Sequence, residues 1–139
     1  MESESLFSGK HMVINGITVL GVHETLQLTN QGAILVDLRE AYLWAYKKFD
    51  VPEVIYLPHT VISIQLSKLP HDSFLILADS SGNRVREDAN MLKENGFQWI
   101  AVFSGGMVDW ERNGGPVIID KAEELTGSCI CQMRKPKPT

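Results

Sequence analysis

Residues 75–84 read Leu75-Ile76-Leu77-Ala78-Asp79-Ser80-Ser81-Gly82-Asn83-Arg84. An apolar run ends in a short polar loop with one glycine, and an arginine opens a helix-like segment. Backbone N–H groups and a helix N-terminus then face a common centre, the layout of a loop that cradles an anion during catalysis. The first loop position, where a nucleophile would sit, is Asp79. A carboxylate there brings fixed negative charge to a place shaped for anions. Facing a bound anion at about 4 Å, it would cost about 4 kcal/mol at an effective dielectric of ~20. Asp79 is therefore expected to stand in for the anion, taking the loop amides and pairing with Arg84. The plainer alternative is an aspartate that caps the following helix and hydrogen-bonds the loop. A third reading makes it a phosphoryl-accepting nucleophile with Mg²⁺ nearby.

Two further loops carry polar groups at the ends of apolar runs. Asp37-Leu38-Arg39 follows Ala33 to Val36, and Ser104-Gly105-Gly106 follows Trp99 to Phe103. Asp37, Arg39, Gly105 and Gly106 are candidates for a pocket rim, although an Asp-x-Arg pair is more commonly a salt bridge that holds a strand end. Cys129-x-Cys131 is a separate feature. Its thiols could accept sulfur, form a regulatory disulfide or supply half a zinc site. Zinc needs two more ligands, and His11, His23, His59 and His71 show no ligand spacing with one another or with the cysteines. No metal and no cofactor is implied.

These groups need a scaffold. Strands are expected at Ile17–Leu20, Ala33–Asp37, Val54–Leu57, Phe74–Ala78 and Trp99–Phe103, with Val22–Asn30 weakly helical between the first two. Glu40–Phe49 reads as a short helix. Val61–Ser67 reads as a helix capped by Thr60, with a strand as the alternative. Val85, Ala89 and Leu92 fall on one helical face that Gly96 ends, and Met107–Arg112 makes another short helix. Alternating strands and helices give an α/β domain with a mostly parallel sheet of about five strands flanked by helices. In such a sheet ligands bind beyond the carboxyl ends of the strands, where all three polar loops lie.

The three loops in register resemble the rhodanese family of sulfurtransferases. Ile34 to Glu40 is similar to its strand followed by Asp-x-Arg-Glu. Asp79 to Arg84, with Gly96-Phe97 at the far end of the helix, is similar to its Cys-x-x-Gly-x-Arg loop and helix. Gly105-Gly106-Met107-Val108-Asp109-Trp110, then Gly114-Gly115-Pro116-Val117, matches its third signature. The match runs over roughly residues 16–118. It implies a single rhodanese-like domain over residues 13–120, preceded by a disordered lead-in at 1–12 and followed by a tail at 121–139. Phe49-Asp50-Val51-Pro52-Glu53-Val54 departs from the family's Gly-His-Ile-Pro-Gly-Ala. Asp79 departs more seriously, because the family's cysteine at that place becomes a persulfide and passes its sulfur on. A carboxylate forms no persulfide.

The resemblance and the departure together imply a pseudoenzyme: a rhodanese-like module with a regulatory or protein-interaction role. The alternative is a sulfurtransferase or sulfur carrier using Cys129 or Cys131. The remaining signals bound the partners. One domain of 139 residues with 44% hydrophobic and 22% charged residues can bury an ordinary core. A net charge of −4 argues against nucleic acid, and no apolar run is long enough for a membrane span. Two cysteines and an acidic N-terminus suit a reducing compartment, so the cytoplasm is expected. Tyr42-Leu43-Trp44-Ala45-Tyr46 is apolar almost all round, which suggests a protein partner or a homodimer face if it does not simply cover the sheet. Trp99 and Trp110 read as packing residues. Arg134-Lys135-Pro136-Lys137-Pro138 reads as a basic extended tail.

Overall fold

The structure, a computed structural model, describes residues 11–120. Cys129, Cys131 and the basic tail lie outside the described residues, as does most of the lead-in. The five expected strands are all present and parallel. They are β2 (Ile17–Leu20), β3 (Ile34–Asp37), β5 (Val54–Tyr56), β6 (Leu75–Ala78) and β7 (Ile100–Phe103), in the spatial order β2-β7-β6-β3-β5. A sixth strand, β1 (Met12–Ile14), joins antiparallel to β2. It extends the sheet to six strands and places Met12 in the fold, within the stretch read as a disordered lead-in. Asn15 and Gly16 join the two strands with positive φ of 52° and 81°. Two central residues with φ > 0 give the turn twist that matches paired strands.

β2, β3, β6 and β7 are buried along their whole length, as continuous apolar runs require when helices cover both faces. Side chains alternate between two cores. Leu75 and Leu77 of β6 enter one, and Ile76 and Ala78 the other. Helix α3 (Val85–Glu94) closes the first with Val85, Ala89 and Leu92. Helices α1 (Val22–Asn30) and α4 (Gly106–Arg112) close the second with Leu28, Met107 and Trp110. Trp110 is fully buried, edge-on to Phe49 and Phe103, and donates its indole N–H to the Pro116 carbonyl at 2.7 Å.

Two segments differ from the sequence reading. The helix expected over Glu40–Phe49 stops as α2 (Ala41–Tyr46), and Lys47–Phe49 becomes strand β4. β4 pairs antiparallel with β8 (Val117–Ile119) in a separate two-stranded ribbon. That non-local pairing, with Phe49 buried in the core, overrides the local helical tendency. Val61–Ser67 is neither a regular α-helix nor a strand. Two 3-10 turns, Ile62–Ile64 and Leu66–Lys68, meet at Gln65 and bury Ile62.

Candidate functional site

Register brings the polar loops to one level. Asp37 at the end of β3 is the cross-strand partner of both Ala78 on β6 and Tyr56 on β5. Beyond the ladders, the Leu38 N–H donates to Ala78 and the His59 N–H to Leu38. Leu38, His59 and Asp79 therefore gather at the carboxyl ends of three adjacent parallel strands. A cavity of about 420 Å³ opens there.

The floor is the loop after β6. Asp79 is almost fully buried. One carboxylate oxygen accepts a short hydrogen bond from the Gly82 N–H, and the other accepts the Arg84 N–H at 2.9 Å. The carboxylate thus holds two backbone amides of its own loop. The Arg84 side chain does not follow. It is exposed on the cavity wall and forms no ion pair among the described residues. Arg84 is the N-cap residue of α3 and contributes its backbone N–H instead. With the carboxylate occupied by loop amides, the guanidinium stays at the solvent edge.

The loop is also held from behind. The Met107 N–H at the start of α4 donates to the Asp79 carbonyl, and the Val108 N–H to the Ser80 carbonyl. Gly105 and Gly106 do not form the rim expected of them; they back the loop. A Cβ on Gly106 would overlap the Ser80 peptide group, and one on Gly82 would lie 2.7 Å from the Gly105 nitrogen. Gly82 has φ of 91° and Gly106 of 64°, so both close approach and conformation call for glycine. Ser80, Ser81 and Asn83 line the cavity with Arg84.

Asp37 and Arg39 form a buried, bidentate pair. Arg39 Nη2 lies 2.8 Å from Asp37 Oδ2 and Nε lies 3.0 Å from Oδ1. The same Nη2 donates to the Lys47 carbonyl at 2.7 Å, and the guanidinium lies over the Phe49 ring at 5.1 Å. Asp37 is fully enclosed and does not line this cavity; Arg39 contributes one edge to the lining. The pair joins β3 to β4. Burial raises the pKa of the neighbouring Tyr56 phenol, and the Asp37 carboxylate raises it further.

One pair went unread in the sequence. His59 lines the cavity, and its Nδ1 lies 2.7 Å from Oδ2 of buried Asp88, in the first turn of α3. Burial raises the Asp88 carboxyl above its ordinary value, while the hydrogen bond and charge of His59 lower it. Held through Nδ1, the imidazole has no hydrogen bond at its other nitrogen among the described residues. Thr60 beside it donates to Glu40 at 3.0 Å, and Leu38 and Leu43 add an apolar wall. Among the described residues no group of three or more His, Cys, Asp or Glu side chains is placed to hold a metal ion. No helix among them is long and apolar enough to cross a membrane.

Comparison with known proteins agrees with this architecture. Residues 22–113 match the family model of the rhodanese-like domain. A sulfurtransferase of Allochromatium vinosum is 27% identical over 88 residues, 63% of this chain and 80% of that protein. The thiosulfate sulfurtransferase GlpE of Actinobacillus pleuropneumoniae serotype 7 is 28% identical over 101 residues, 72% of this chain and 92% of that protein. Among solved structures, a rhodanese-related protein of Thermoplasma volcanium superposes with a TM-score of 0.65 at 20% identity, covering 73% of this chain and 98% of the other.

Proposed function

Since the chain belongs to the rhodanese-like domain family, we propose that it is a member whose loop carries no sulfur and whose retained cavity serves as a regulatory, protein-binding surface. The observation that carries this reading is the Asp79 carboxylate accepting both the Gly82 and the Arg84 N–H. In a sulfur transfer from thiosulfate, a thiolate attacks the outer sulfur, a new S–S bond forms and sulfite leaves with the electron pair of the old one. A carboxylate at that place has no sulfur to make the bond. It also competes with the donor's negative charge for the same amides. The relatives named as sulfurtransferases share the fold, but activity belongs to the site rather than to the fold.

Intact-mass measurement after incubation with thiosulfate, and separately with a persulfide donor, tests this without reductant present. The expected outcome is no added sulfur on the full-length chain while a relative with cysteine in the loop is labelled in parallel. One cyanide-sensitive sulfur mapped to Cys129 or Cys131 would overturn the reading and make the tail a sulfur carrier.

A further inference from the structure

One wall of the cavity is not accounted for by the loop after β6. His59 on that wall is held at two points. Its backbone N–H donates to the Leu38 carbonyl at 2.9 Å, and its Nδ1 lies 2.7 Å from Oδ2 of Asp88. Leu57, two residues before it, is fully buried and donates its N–H to the Asp37 carbonyl at 3.0 Å. The ring is thus fixed from β3 on one side and from α3 on the other. Within the pair, 21% of the His59 side chain is exposed against 5% of Asp88. The carboxylate is the inner end, and the imidazole is the end that lines the cavity.

This contact decides which ring nitrogen carries the proton. A carboxylate facing a bare Nδ1 would set lone pair against lone pair. A neutral ring therefore keeps its proton on Nδ1 and donates it to Asp88. Nε2 is then a bare acceptor, with no hydrogen bond among the described residues. The carboxylates of the lining are already engaged: Asp79 accepts the Gly82 and Arg84 N–H groups, and Glu40 accepts the Thr60 hydroxyl. Charge does not choose the occupant. The guanidinium groups of Arg39 and Arg84 line the cavity together with the carboxylates of Glu40 and Asp79, and Glu87 and Asp88 add negative charge from α3. What His59 asks of an occupant is a hydrogen to share.

We propose that Asp88 holds His59 in the Nδ1–H tautomer, so that Nε2 is the cavity's contact for a hydrogen-bond donor, an amide or hydroxyl group, on the bound partner. This rests on the reading of the cavity as a protein-binding surface and names a chemical group that the surface takes. Asp88 acts through His59 and is a positioning residue.

Long-range ¹H–¹⁵N correlation spectra of the full-length, ¹⁵N-labelled chain read the tautomer directly. They are recorded at about pH 8, above the ordinary imidazole value of about 6.5, and His59→Gln identifies the signals. The expected pattern at His59 is a protonated Nδ1 and a bare Nε2; the reverse pattern overturns the proposal. In Asp88→Ala the ratio of the Nδ1–H to the Nε2–H form is expected to fall about fivefold, as loss of one hydrogen bond gives. An unchanged ratio in a folded variant overturns the role of Asp88, and the unaltered chain still decides the tautomer if the variant does not fold. Acetamide and acetate, added to the unaltered chain at equal concentration, then read the ligand class, because the first carries N–H donors and the second carries none. Acetamide alone is expected to move the Nε2 resonance to a plateau. An equal or larger response to acetate, or no response to either, overturns the donor class. None of these spectra involves a sulfur donor, so this assignment and the absence of sulfur transfer fail separately.

Discussion

Two carboxylates end neighbouring parallel strands and are buried in different ways. Asp37 after β3 meets a guanidinium, which also donates to the Lys47 carbonyl. Asp79 after β6 meets two backbone N–H groups, and no cation joins them among the described residues. The first arrangement is a matched pair of side chains that joins β3 to β4. The second is a pair of peptide dipoles filled by a carboxylate of the same loop. The first ties two strands together; the second ties a loop to itself through one side chain.

That contrast can be broken most forcefully at Asp37. Asp37→Asn leaves Arg39 buried, charged and without its counterion, and is expected to cost about 3–5 kcal/mol in chemical denaturation. Asp79→Ala removes two hydrogen bonds but leaves amides that water or an anion can reach. Its expected cost is about 1–3 kcal/mol. It sharpens the comparison further: sulfate should then raise the melting temperature of the variant and leave that of the unaltered protein in place, read by thermal unfolding across a sulfate series. Asp37→Asn should gain no such response.

The smallest expected effect concerns Asp88, a carboxylate neither as well paired as Asp37 nor as well cradled as Asp79. Its folded-state pKa lies above the ordinary value of 3.8 because of burial. The protonated form is then favoured by folding. Its contribution to stability is fully present below that value and is lost as pH rises through the folded pKa. Asp88→Asn keeps a hydrogen-bonding group for His59 without the charge. It should flatten the fall in stability as pH rises from about 4, as measured by denaturation midpoints in a buffer series.

The parts of this fold that are legible in the sequence are those with local signals. Five strands stand out because burial on both faces demands continuous apolar runs, and α3 stands out by its single apolar face. The Asp79 loop and the Asp37–Arg39 pair are visible for the same reason, since each lies within a few residues of a strand end. β1 escapes notice although Asn15-Gly16 is a hairpin signal, because it is short and adjoins a polar lead-in. β4 is hidden by a helix-like run that only its distant partner β8 explains. His59 and Asp88 stand 29 residues apart on different elements; their meeting comes from register and helix packing, which spacing does not encode. The guanidinium of Arg84 misleads because charge alone suggests a partner that the backbone has already claimed.

The glycine contacts behind the loop have a consequence for how the domain can change over time. Gly82 and Gly106 let the ends of β6 and β7 touch peptide to peptide, and the Met107 and Val108 amides lock that contact. None of these bonds involves the side chain at position 79. The side chain at position 79 can therefore be exchanged over generations without rebuilding this backbone contact, which depends on glycines elsewhere in the two loops.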